Sequence, residues 1–268
     1  MNQSISEGGQ RIAIIGSGIS GLTCGYVLSR KHEVTLFEAN DYLGGHTNTE
    51  DIELDGKVYP VNTGFIVFND WTYPNFIELM DQLGVASEDS DMSFSVRDEN
   101  TGLEYNGTNL NSLFAQRINL IRPSFIRMIL DILKFNEQTV SALDQGKIEE
   151  GQTLGDFVEE HGYSRQFINH YIVPMGSAIW SASVEVMMDF PLKFFLKFFN
   201  NHGMLSVDDR PQWKVISGGS RTYVERILKD LPEDQVYIKT PVEKVVRSAD
   251  KVDVYSMRGC ESYDQVIF

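Results

Sequence analysis

Residues 11–21 read Arg11-Ile12-Ala13-Ile14-Ile15-Gly16-Ser17-Gly18-Ile19-Ser20-Gly21. A short, β-branched apolar run is cut off by Gly16, which is the pattern of a buried strand. Glycines then stand at the first, third and sixth places of a turn. An apolar helix follows over Ser20 to Arg30, and Glu33 to Phe37 reads as a second strand. Strand, glycine turn, helix, strand is a βαβ unit. In that setting GxGxxG has a physical reading. Gly16 permits the tight turn. Gly18 leaves room for backbone to approach a pyrophosphate. Gly21 lets helix and strand pack closely. The helix N-terminus offers unpaired N–H groups and the positive end of its dipole to phosphate.

Glu38 ends the second strand, 22 residues after Gly16. A carboxylate there suits the ribose hydroxyls of a dinucleotide and repels a 2′-phosphate. The segment also approaches a P-loop, but Leu22 stands where that motif needs lysine. Gly44-Gly45 lies six residues past the acid. It reads equally as a second close approach of backbone to cofactor and as an ordinary tight turn. These residues alone leave FAD and NAD evenly matched.

Further along, Asp51–Leu54 and Lys57–Tyr59 form a hairpin around Asp55-Gly56. Pro74 opens a helix that Gly84 closes. Met92–Arg97 and Leu103–Tyr105 suggest another hairpin. Ser124 to Gln145 is an amphipathic helix. Arg127, Asp131, Lys134, Gln138 and Ser141 form its polar stripe, with Phe125, Ile129, Ile132 and Leu133 on the other side. Thr153 and Asp156 resemble a capping box for a helix to His161. Helices are also expected over Ser164–Val173, before Pro174, over Pro191–Asn201 and, after Gly218-Gly219, over Ser220–Leu231. Strands are expected at Val236–Lys239, Val242–Val246, Val252–Met257 and Tyr263–Phe268. The order predicts an α/β fold, a Rossmann-like dinucleotide domain with a parallel sheet, plus a largely helical second domain. Residues 1–72 and 205–268 would form the first, and 73–204 the second.

The chain has 268 residues and a formal charge of −15, so phosphate backbones repel it and a nucleic-acid partner is not expected. Cys24 and Cys260 form no CxxC pair and no disulfide framework, which fits a reducing compartment. The polar start, Met1 to Gln10, has no signal-peptide core, and no apolar run reaches the roughly 18–20 residues of a membrane span. A cytoplasmic location follows as the expectation, with peripheral membrane contact left open. The five histidines show no HExxH spacing, and no metal site is expected. No GxSxG elbow is present.

The N-terminal block resembles the FAD-dependent amine oxidase, protoporphyrinogen oxidase and phytoene desaturase superfamily. There the acid is followed by a pattern like E-x3-R-x-G-G-R; this chain reads Glu38-Ala39-Asn40-Asp41-Tyr42-Leu43-Gly44-Gly45-His46. The glycines match, while Tyr42 and His46 replace the arginines. Further segments resemble a bacterial branch described as predicted NAD/FAD-binding proteins. These are Asn62-Thr63-Gly64-Phe65, Tyr73-Pro74-Asn75, Ala178-Ile179-Trp180-Ser181, Asn201-His202-Gly203 and Gly218-Gly219-Ser220-Arg221. Asn62 departs from the Asp usual there. The resemblance implies FAD as cofactor. It places Gly16, Ser17, Gly18, Ile19, Ser20 and Gly21 at the pyrophosphate, Glu38 and Ala39 at the ribose, and Gly44, Gly45 and His46 beside the phosphates. Thr63, Gly64 and Phe65 would sit near the flavin, and Val242 near adenine. Relatives continue past a strand like Asp264–Phe268, so the chain is expected to be part of a longer protein.

Flavin carries the hydride chemistry, so no acid–base pair is required, and no catalytic residue is assigned. Phe190, Phe194, Phe195, Phe198 and Phe199 recur at helical spacing, either as core or as the wall of a substrate tunnel. The tunnel reading favours an apolar, lipid- or isoprenoid-like small molecule. Trp180 and His202 are candidates to approach flavin or substrate; a structural role, for His202 as a helix cap, is the alternative. The expected function is an FAD-dependent oxidoreductase of an apolar substrate. An amine oxidase, an FAD-binding partner protein without turnover and an NAD-linked dehydrogenase are the alternatives.

Overall fold

The computed structural model describes residues 9–206 and 210–268; the polar start up to Gly8 lies outside the described residues. Two compact units emerge. The first comprises Met1–Phe68, Tyr73–Ser90 and Trp213–Phe268, and the second comprises Asn69–Thr72 and Asp91–Gln212.

In the first unit β1 (Arg11–Ile15), α1 (Ile19–Leu28) and β2 (Glu33–Phe37) form the expected βαβ unit. The two strands run parallel, with Ile12 beside Val34 and Ile14 beside Leu36. Val236–Tyr237 adds to the outer side of β2 and Gln265–Ile267 to the outer side of β1, both parallel, so the sheet is built from both chain ends. One face buries Ile12, Ile14, Val34 and Leu36 against Leu22, Tyr26, Tyr223 and Ile227. The other buries Ala13 and Phe37 against Val254 and Tyr263 of an antiparallel sheet formed by Val242–Arg247, Val252–Ser256 and Gly259–Tyr263. Apolar residues on both faces of β1 explain why its sequence is continuous rather than alternating.

Local signals place several elements. The hairpin Thr49–Leu54/Lys57–Asn62 turns at Asp55 (φ 53°) and Gly56 (φ 74°), the left-handed pair of a two-residue turn. Pro74 starts the helix Pro74–Leu83 and left-handed Gly84 closes it. That helix, expected in the second domain, groups with the first unit. The strand after it, Ser87–Ser90, pairs with Trp213–Ile216.

The second unit is mainly helical. Its core joins Phe125, Met128 and Phe135 of the helix Pro123–Asp144 to Leu154, Phe157, Phe167, Ile172, Leu192, Phe195 and Phe199. Thr153 and Asp156 make the capping box at the start of Leu154–Glu160. The expected stop before Pro174 is corrected. The helix runs on through a π segment, Ile168–Ile172, into Val173–Trp180. Pro174 cannot donate to the carbonyl of His170. The Tyr105 hydroxyl donates to that carbonyl instead, at 2.6 Å. Tyr105→Phe is therefore expected to cost about 1 kcal/mol, the net worth of one hydrogen bond, read as a lower urea midpoint.

The polar stripe of Pro123–Asp144 is only partly solvated: Arg127 and Ser141 are exposed, while Asp131, Lys134 and Gln138 bond a neighbouring loop. Asp131 is 2% exposed and accepts the Ser164 N–H at 3.0 Å and the Arg127 guanidinium at 3.1 Å. Lys134 donates to the His161 carbonyl at 2.7 Å, and Gln138 accepts the Tyr163 hydroxyl at 2.7 Å. Asp131, Lys134 and Gln138 hold the 161–164 loop, while Leu130 and Leu133 are exposed on the helix.

Candidate cofactor site

The turn after β1 is pinned from several sides. Gly16 adopts φ 99° and its N–H donates to the Phe37 carbonyl at 2.8 Å. Ser17 is fully buried. Its N–H and hydroxyl both donate to Glu38 Oε2, at 2.9 and 2.5 Å, while the Gly44 N–H donates to the Ser17 carbonyl at 3.1 Å. One serine thus ties the first glycine turn to the acid and to the second glycine turn. A Cβ on Gly45 would lie 3.1 Å from Gly18 Cα, so the two turns touch.

Glu38 is 6% exposed. Burial pushes its carboxyl up. Hydrogen bonds from the Asn40 N–H, the Ser17 hydroxyl and N–H, and the Ala39 N–H outweigh this and hold it below its ordinary 4.5. Its stabilising effect is therefore complete above about 4.5 and fades as pH falls through the lowered folded-state value. Glu38→Gln should lower stability at neutral pH and match the parent in strong acid. Urea midpoints followed from neutral to acidic pH check this; parallel pH profiles of the two proteins would contradict it.

Above the turn the chain presents donors. The N–H groups of Ile19, Ser20 and Gly21 have no acceptor one turn back, and Gly18 at the N-cap brings no side-chain cap. A Cβ built on Gly18 meets nothing within 4 Å, so open space lies over the turn. Gly21 is the opposite case: its Cβ would stand 2.0 Å from the Gly16 carbonyl oxygen. These features fit a dinucleotide pyrophosphate. The third glycine seats the helix on the strand, the second leaves space, and the helix start supplies donors.

The neighbouring residues are placed as follows. His46 is exposed, and its carbonyl accepts the Phe65 N–H at 2.9 Å. A Cβ on Gly64 would lie 2.1 Å from that same carbonyl oxygen, so Gly64 is a close-packing position. Thr63 donates its N–H to the Asn48 carbonyl at 2.9 Å. The second glycine turn and the Thr63–Phe65 segment are therefore held together through His46. Ala39 is exposed beside Glu38. Thr240 donates its N–H to the Glu38 carbonyl at 2.8 Å, which places Val242, two residues on, near the acid in the chain. Val242 packs its side chain against the core around Phe37.

The bracing roles of Thr47, Thr49, Asn62, Ser220, Arg221 and Tyr223 are not legible in the sequence. The Thr47 and Tyr223 hydroxyls are bonded to each other. Asn62 Oδ1 accepts from the Thr49 hydroxyl at 2.8 Å and from the Ser220 N–H and hydroxyl at 2.9 and 3.0 Å. Arg221 pairs with Asp51 at 2.6 Å. The segment Gly218–Arg221 is thereby fastened to the base of the hairpin.

In the second unit, Phe195 and Phe199 are fully buried and stacked at 4.1 Å, so these two are core. Phe194 is exposed. Trp180 packs on Phe190 and Phe198 at 4.7 and 4.9 Å. His202 stacks on Phe198 at 4.0 Å with Nδ1 2.8 Å from the Phe198 carbonyl, which is the cap position of Leu192–Asn201.

Known proteins give this geometry a context. The carotenoid phi-ring synthase of Chlorobaculum tepidum is 36% identical over 80 residues, 30% of this chain and 12% of that protein. The L-amino-acid oxidase of Pseudechis australis is 43% identical over 56 residues, 20% of this chain and 10% of that protein. Among solved structures, cyclohexylamine oxidase from Brevibacterium oxydans IH-35A superposes with a TM-score of 0.70 at 18% identity, over 96% of this chain and 57% of that one, which is a likeness of fold. The chain thus spans a little over half the length of that neighbour and about a tenth of those two relatives. The family described as flavin containing amine oxidoreductase matches residues 19–268. Its α/β fold, its flavin cofactor and its oxidoreductase character agree with the parallel sheet and the glycine turn. The chain belongs to the flavin-containing amine oxidoreductases.

Proposed function

We propose that the unit built from both chain ends is the cofactor domain of an FAD-dependent oxidoreductase, and that the helical unit contributes to the substrate domain. The observation that carries this is the Ser17-tied cradle: open space over Gly18, uncapped N–H groups at the start of α1, and Glu38 held as carboxylate beside them. In this reading Gly16, Ser17, Gly18, Ile19, Ser20 and Gly21 hold the pyrophosphate. Glu38, already an acceptor for Ser17, Ala39 and Asn40, meets the ribose hydroxyls. Ala39 lies alongside. Gly44, Gly45 and His46 border the phosphates, with His46 offering one donor where a relative has arginine. Thr63, Gly64 and Phe65 lie toward the flavin and Val242 toward adenine.

When bound, the flavin accepts a hydride from substrate. The chain's own part is to hold the cofactor and shape the substrate space. An apolar, lipid- or isoprenoid-like substrate is the first reading, supported by the carotenoid phi-ring synthase among the relatives and by the aromatic surface at Trp180, Phe190 and Phe194. A flavin-containing amine oxidase is the second, supported by the L-amino-acid oxidase. The acidic charge and sparse cysteines support a cytoplasmic setting. Purified protein reconstituted with FAD should show flavin absorbance that an apolar polyene or fatty acid bleaches under anaerobic conditions. Peroxide release with amines would favour the second reading. Absence of any flavin band would reject the cofactor assignment.

A further inference from the structure

Between Glu104 and Glu137 the only carboxylate is Asp131, while Arg117, Arg122, Arg127 and Lys134 give the segment a net charge of +3 in a chain whose total is −15. Two of the five charges are engaged inward: Asp131 is buried under Arg127 and Ser164, and Lys134 bonds the His161 carbonyl. Arg117 and Arg122 meet no carboxylate among the described residues. Arg117 donates to the Phe114 carbonyl and Asn111, and Arg122 to Asn119.

The same segment turns large apolar side chains outward. Ile118 and Ile121 are 58% and 76% exposed, Leu120 and Leu130 54% and 57%. The first three belong to a 3₁₀ turn, Arg117–Ile121, in which only Asn119 is buried. With three residues per turn, Ile118 and Ile121 sit one above the other. Ordinary solvated surface does not need this composition.

We propose that the turn Arg117–Ile121, with Arg122 after it, docks on an anionic lipid surface. The apolar side chains enter the boundary between headgroups and acyl chains, and Arg117 and Arg122 pair with lipid phosphates. No helix among the described residues is long and apolar enough to cross a membrane, so the contact is peripheral. A second copy of the chain is the weaker occupant, because a two-fold interface would set the arginines against themselves. A negatively charged bilayer is complementary on both counts, apolar and electrostatic.

Co-sedimentation with vesicles tests this. The protein should pellet with mixed phosphatidylglycerol–phosphatidylcholine vesicles, stay in solution with phosphatidylcholine alone, and be released by high salt. Arg117→Ser with Arg122→Ser should lower partitioning by about 25-fold, roughly fivefold per arginine. Ile118→Ser with Ile121→Ser should abolish it. Unchanged circular dichroism and melting would show that both variants keep the fold. Lys193→Ser with Lys197→Ser, exposed cations on another helix, should pellet like the parent. The proposal is overturned if the parent ignores anionic vesicles, if either patch variant binds like the parent, or if the patch instead forms a dimer that the isoleucine variant dissolves.

Discussion

Gly21→Ala is expected to cost on the order of 3 kcal/mol or more, a large part of an ordinary domain's stability. The added methyl would stand 2.0 Å from the Gly16 carbonyl oxygen and 3.2 Å from Ile14 Cγ2. Neither neighbour can retreat cheaply. Gly16 is held by the Phe37 carbonyl, the adjacent Ser17 by Glu38, and Ile14 is fully buried in the sheet. Moving α1 outward instead would open its contact along Leu22 and Tyr26. A urea titration reads the loss directly. A variant as stable as the parent would mean that helix and strand are not in the close contact described.

Phe195→Ala should be the second large effect, about 3–5 kcal/mol, the usual range for emptying a buried phenylalanine site. Phe195 stacks on Phe199, lies 5.6 Å from Trp180 and closes over Gly176, where a Cβ would meet its ring at 3.3 Å. The surrounding side chains are interlocked, so the cavity collapses poorly. Phe194→Ala, one residue away and exposed, should change stability by no more than about 0.5 kcal/mol. The pair separates core from substrate wall. If Phe195→Ala kept the parent's urea midpoint but lost binding of an apolar ligand, the ring would be lining a site rather than filling the core.

What could be read from the sequence was mostly local. The βαβ unit, the Asp55-Gly56 turn, the Thr153–Asp156 capping box and the Pro74 and Gly84 boundaries each rest on residues a few positions apart. What could not be read depends on partners far away in the chain. Ser87–Ser90 is too polar to announce a strand and becomes one by pairing with Trp213–Ile216. The helix continues through Pro174 because Tyr105, 65 residues before His170, satisfies the orphaned carbonyl. Asp131 was legible as polar but not as buried, because its partner Ser164 lies 33 residues on. The candidate site divides in the same way. Its glycines and Glu38 are visible as a motif, whereas Ser17, Thr47, Asn62 and Tyr223 gain their bracing roles only when the two glycine turns and the hairpin base come together.

In the proposed function the cradle over Gly18 receives the pyrophosphate of FAD. Gly18 has an ordinary helical-entry backbone, φ −62°, and space around it, so Gly18→Ala should fold as the parent does. Its methyl would occupy the volume assigned to the phosphates. A fluorescence titration of FAD against both proteins, with NAD as the competing dinucleotide, is the direct measurement. FAD should bind the parent saturably and be weakened at least about tenfold by the single methyl, a difference of about 1.4 kcal/mol, with unchanged urea midpoints. Equal FAD affinity in the two proteins, or a preference for NAD, would contradict that assignment.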